Sequence, residues 1–161
     1  MCIRDSSQEV AHTIWAYGKL DVPPPRLAEL EEAIERVAPD MNSQNVANTV
    51  WAYGTLGVPP SPQVIHELEA ALRGVVMEMN PQHLANIIWA YSKFGLRPIP
   101  ETLDALKQVA PGLIRKMSPQ CVEHFPDIIT MTKWFYSTRL ETRTKESNIC
   151  ASSRVLNLLA Q

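Results

Sequence analysis

A segment of 17 residues occurs three times in this chain: QEVAHTIWAYGKLDVPP from Gln8, QNVANTVWAYGTLGVPP from Gln44 and QHLANIIWAYSKFGLRP from Gln82. Its tryptophans stand at Trp15, Trp51 and Trp89, spaced by 36 and then 38 residues. A fixed period in this range marks supersecondary units that stack, because a single unit cannot bury its own apolar face. A fourth opening at Gln120 fails, since Pro126-Asp127 stands where the others have Val-Trp or Ile-Trp. A proline in mid-helix costs about 3 kcal/mol, and Asp cannot fill a tryptophan's place.

A second segment follows each copy and aligns on Met41, Met79 and Met117. Leu27, Ile65 and Leu103 precede these methionines by 14 residues, Leu30, Leu68 and Leu106 by 11, and Val37, Val75 and Leu113 by 4. Those offsets trace one face of a helix. The two residues that unit one lacks fall in a proline loop, where VPPPR replaces VPPSPQV, and length changes belong in loops. The expected fold is all-α, an α-α superhelix (solenoid) of about three helix-turn-helix repeats of 36–38 residues plus a broken fourth. The units run 6–41, 42–79 and 80–117, with a flank 1–5, a partial repeat 118–137 and an irregular tail 138–161, of which 138–153 should be poorly ordered.

The first helix of each unit has clear start signals. Ser6 with Glu9 has the capping-box spacing, Asn80-Pro81 and Ser118-Pro119 put a capping residue before proline, and Asn42-Ser43 serves without one. About 14 residues later the helix is expected to stop in the stretches Gly18 to Pro23, Gly54 to Pro59 and Gly95 to Pro98. Most of its circumference is apolar, as in the inner layer of an array. The remaining polar arc is Glu9, His12, Ala16 and Lys19 in unit one, Asn45, Asn48, Ala52 and Thr55 in unit two, and His83, Asn86, Ala90 and Lys93 in unit three. The second helices carry Glu29, Glu31, Glu32, Glu35, Glu67, Glu69, Glu101 and Asp104 on their polar face, which reads as solvated.

With 161 residues and 45% hydrophobic content the chain can bury a core. Net charge is −2, so no global basic field advertises nucleic acid, although the acidic excess lies mostly on the second helices. Three scattered cysteines suit a reducing compartment. No apolar run is long enough for a membrane span, and the first residues resemble neither a signal nor a transit peptide. Catalytic motifs are missing too: no phosphate loop, no nucleophile elbow and no paired metal motif, the lone Cys121-x-x-His124 lacking a second pair. No enzyme activity, cofactor, metal or small-molecule substrate is therefore expected.

Trp15, Trp51 and Trp89, beside the small Ala11, Ala47 and Ala85, read as packing between units. The tyrosine hydroxyls of Tyr17, Tyr53 and Tyr91 should meet a backbone or loop partner. Asn48 and Asn86 suit either a ladder of side-chain amides or ligand contact, while Asn45 and His83, near the helix start, are expected to be exposed. Residues 9, 12, 16 and 19 lie at i, i+3, i+7 and i+10, so stacking would set three such faces side by side.

The units MNSQNVANTVWAYGTLGVPP and MNPQHLANIIWAYSKFGLRP resemble octotricopeptide repeats and, more broadly, the helical-repeat region of RAP-domain and Fas-activated serine/threonine kinase-like organellar proteins. That resemblance implies an α-α superhelix that binds single-stranded RNA in a mitochondrion or chloroplast and controls transcript stability, processing or translation. Glu9, His12, Lys19, Asn45, Asn48, Thr55, His83, Asn86 and Lys93 are the residues expected to touch RNA. The alternative is a protein-interaction scaffold with no direct RNA contact, the commonest use of helical arrays.

Overall fold

The computed structural model describes residues 6–117. The flank 1–5, the partial fourth repeat with Cys121 and His124, and the tail lie outside the described residues. Six α-helices follow one another: α1 (Ser7–Leu20), α2 (Leu27–Val37), α3 (Ser43–Leu56), α4 (Pro62–Val75), α5 (Pro81–Phe94) and α6 (Pro100–Ile114). Short 3-10 turns at Ala38–Asp40 and Val76–Glu78 close the first two units. The described residues contain no strand.

Each unit is a helical hairpin, and the hairpins stack in two layers. Helices α1, α3 and α5 pack side by side in the first layer; α2, α4 and α6 form the second. The all-α array of stacked hairpins is thus as the period requires. Ile14, Ile34, Val46, Leu68, Leu84, Ile87 and Leu106 fill the space between the layers and are almost fully buried.

Local chemistry fixes where each helix begins. The Ser6 and Glu9 capping box closes α1, with the Glu9 backbone N–H donating to Ser6 Oγ at 3.2 Å and the Ser6 N–H donating to the Glu9 carboxylate at 3.2 Å. Those bonds hold the Glu9 carboxyl below its ordinary pKa, first through the Ser6 backbone and then its hydroxyl. Asn42 caps α3, its Oδ1 accepting from the Asn45 N–H at 2.9 Å. Asn80 caps α5 in the same way, accepting from the His83 N–H at 2.8 Å. Ser7 Oγ donates to the Asp40 carbonyl at 3.1 Å and Ser43 Oγ to the Glu78 carbonyl at 3.3 Å, so the head of a unit is tied to its own end.

The first helices end inside the expected stretches, after 14 residues each, but in α1 and α3 not at the first glycine. Gly18 and Gly54 do not stop their helices, which run on to Leu20 and Leu56. A Cβ added at Gly18 would stand 3.0 Å from Ala52 Cα, and one at Gly54 would stand 2.9 Å from Ala90 Cα. Both glycines let the next first-layer backbone approach, which is a packing role rather than a terminating one. The helices actually end at Asp21, Gly57 and Gly95, whose φ values of 52°, 64° and 64° are left-handed. Asp21 is the one non-glycine residue of the three and bears a Cβ penalty there. Asp21→Gly is therefore expected to stabilise the fold by about 0.5 kcal/mol and raise Tm by about 2 °C, read by thermal melting.

The second layer is joined to the first across units by carboxylates. Tyr91 Oη donates to Glu69 Oε1 at 2.8 Å, and Glu69 also accepts from the Ile99 N–H at 3.1 Å and Thr102 Oγ1 at 3.1 Å. Arg73 completes the set by donating to Thr102 Oγ1 at 2.9 Å. One unit earlier, Glu31 accepts from Tyr53 Oη at 3.2 Å and from the Ser61 N–H at 3.1 Å. Each glutamate thus receives the tyrosine of the following unit and sits at the N-terminus of that unit's second helix, where the helix dipole favours negative charge. Glu69, read from sequence as solvated, is only 3% exposed. The partners of Tyr53 and Tyr91 are likewise side-chain carboxylates, not loop or backbone groups.

Unit one has no described unit in front of it, and its corresponding end is open. Glu9, Thr13, Tyr17, Pro24, Arg26 and Leu30 line a cleft there of about 350 Å³. Leu30 is half-buried, whereas its counterparts Leu68 and Leu106 are 1% and 0% exposed.

Candidate functional site

The chemistry available to a ligand lies on the face of the first layer turned away from the second. Taking α3 as the middle helix, Ala52 meets Gly18 of α1 on one flank, and Gly54 meets Ala90 of α5 on the other. Tyr53 and Val46 point to the interior. What remains outward is Gln44, Asn48, Trp51 and Thr55, at successive steps of four, three and four residues, a single helical face. Its counterparts are Gln8, His12, Trp15 and Lys19 in α1 and Gln82, Asn86, Trp89 and Lys93 in α5.

This geometry divides the polar arc read from the sequence. His12, Lys19, Asn48, Thr55 and Lys93 stand on the outward face, exposed or half-exposed. Asn45, expected to be exposed, is 4% exposed, and Ala52 and Ala90 are fully buried, because these positions form the flank packed against the preceding unit. The alanines therefore make helix contacts and leave no room for a base to reach the backbone. Their unit-one equivalents Glu9 and Ala16 are exposed only because no described unit covers that flank. Asn86 is 9% exposed, and its Oδ1 accepts from Gln82 Nε2 at 2.9 Å, a bond within its own helix. His83 is half-buried; its Nδ1 accepts from the Asn80 N–H at 3.5 Å, so the imidazole takes the place that Glu9 has in the capping box of α1. Burial pushes its pKa below the ordinary value, favouring the neutral ring that this acceptor role requires.

The tryptophans, read from the sequence as packing between units, do pack there in units two and three but keep an exposed edge. Trp15 is 37% exposed, and Trp51 and Trp89 are half-buried at the margin of the core. The Trp51 and Trp89 rings stack with centroids 6.3 Å apart and planes inclined by 26°. Lys19 Nζ lies 5.6 Å from the Trp15 centroid and 5.7 Å from that of Trp51, and Lys93 Nζ lies 5.4 Å from that of Trp89. Cations at this distance are attracted by the indole quadrupole. The signal was present in the spacing, since each tryptophan is three residues beyond the outward Asn48 or its equivalent and four before Thr55 or its equivalent.

Charge is sorted between the layers. Helices α1, α3 and α5 hold two lysines and one glutamate, whereas α2, α4 and α6 hold eight carboxylates against three Lys/Arg. The outward face is thus aromatic and weakly basic on a molecule of net charge −2. No helix among the described residues is long and apolar enough to cross a membrane.

No curated protein matches this chain. A family model described as "Tbc2 translation factor, N-terminal domain" matches residues 25–119. The matched stretch begins in the loop before α2 and takes in α2 to α6, so it spans both carboxylate anchors, the Gly54–Ala90 contact and the Trp51 and Trp89 pair. Matched over more than half its length, the chain belongs to the family of the Tbc2 translation factor N-terminal domain.

Proposed function

We propose that this chain is an RNA-binding helical-repeat module of an organellar post-transcriptional regulator, acting on translation by binding single-stranded RNA rather than by catalysis. The observation that carries the reading is the outward face of the first layer, which brings half-exposed tryptophans, two lysines and amide side chains together while eight of the nine helix carboxylates lie on the other layer. Single strands are bound by such combinations of stacking surfaces and cations. The family's description as a translation factor and the resemblance to octotricopeptide repeats support the same reading, and the resemblance supports a mitochondrial or chloroplast setting.

Competition binding with the full chain tests it. A labelled single-stranded RNA should be retained at 50 mM salt, and unlabelled single strand should displace it far better than the duplex of the same sequence. Failure to retain the single strand, or equal displacement by duplex, removes the reading.

A further inference from the structure

We infer that Trp15, Trp51 and Trp89 are stacking platforms for the bases of single-stranded RNA, with Lys19 and Lys93 on the flanking phosphates; this rests on the RNA-binding reading above. Tryptophans recur at one position of every unit, yet none is fully buried, although the same helices bury Tyr53 and Tyr91 almost completely. Packing alone does not require an indole on a surface that water reaches. The rings form a continuous strip across neighbouring helices: Trp51 and Trp89 stack directly, and the ammonium of Lys19 bridges Trp15 to Trp51.

Each lysine lies over a ring to which a base could also bind. A base taking the ring face displaces the ammonium, whose flexible stem lets it swing to the phosphate carried by that base. Ring and cation thus exchange one contact for two. Stacking accepts every base, because every base has a π-face, so the strip should favour single strands over duplex with weak sequence preference. The polar flank residues are poorly placed to add selectivity, since Asn45 is buried and Asn86 is bonded to Gln82.

The test uses the full chain carrying Trp134→Phe, so that emission comes from the three repeat tryptophans, with oligouridylate as the probe. Trp15→Leu is introduced into this background because Trp15 is the most exposed of the three, and circular dichroism checks that it folds. The expected result is saturable quenching of tryptophan emission and affinity about fivefold or more weaker in Trp15→Leu, the loss of roughly one stacked base. Binding without quenching, together with unchanged affinity in Trp15→Leu, overturns the stacking assignment and leaves the RNA-binding reading standing. Absence of any binding to oligouridylate or to mixed-sequence RNA overturns both.

Discussion

Gly54→Val is expected to lower the melting temperature by about 10 °C. A Cβ at this position would lie 2.9 Å from both Cα and Cβ of Ala90 and 3.1 Å from the Trp89 ring, and a valine adds two methyls beyond it. Two of those three obstacles belong to a small residue that has no rotamer to change, so α3 and α5 must separate. Overpacking of this kind costs about 3 kcal/mol, which in a domain of this size corresponds to the stated drop. Gly74→Ala is the control: no atom lies within 4 Å of its added Cβ, and the substitution improves helix propensity by about 0.5–1 kcal/mol. Calorimetry of the two variants should move Tm in opposite directions; a harmless Gly54→Val would mean that the first-layer helices do not approach as described.

Glu69→Ala should destabilise by about 3 kcal/mol, against a few tenths for Glu29→Ala. Both glutamates read from the sequence as solvated, but Glu69 is 3% exposed, whereas the Glu29 side chain is 67% exposed and meets Arg26 at 3.3 Å. Removing the Glu69 carboxylate strands the Tyr91 hydroxyl, the Ile99 N–H and the Thr102–Arg73 pair at once. Urea denaturation of the two variants gives the comparison, and equal midpoints would contradict the anchor. The same network sets an alkaline limit. Burial, reinforced by Glu31 and Glu69, pushes the Tyr53 and Tyr91 phenols above their ordinary value of 10.0. A raised folded pKa means that stability is intact below about pH 10 and is lost as pH rises beyond it, because the unfolded chain ionises first.

Much of this architecture was legible in the sequence because it depends on local chemistry. Period, helix type, hairpin order and the caps at Ser6, Asn42 and Asn80 follow from residues within one unit. What was illegible depends on which neighbour covers which flank. Gly18 and Gly54 carry the composition of a helix stop, and only the adjacent Ala52 and Ala90 reveal them as close contacts. Glu69 has the periodicity of a solvated residue, and its burial comes from Tyr91 and Thr102 in the next unit. The polar arc was found as a helical face, but its split into an outward half and a buried half follows from the angle at which one unit meets the last. The same angle leaves the tryptophans at the rim of the packing between units, Trp51 and Trp89 half-buried against each other and Trp15 exposed.

The claim that the outward face of the first layer binds RNA is tested most directly by the salt dependence of binding in wild type and in the double variant Lys19→Gln, Lys93→Gln. Both lysines are exposed, and their ring contacts lie at the surface. Each phosphate neutralised on a single strand contributes about −0.7 to the slope of log affinity against log salt, so two lysines predict about −1.4 from this face. The double variant should stay folded, lose that part of the slope and bind more weakly at low salt. An identical slope and affinity in the folded double variant would place RNA elsewhere on the molecule and contradict the account.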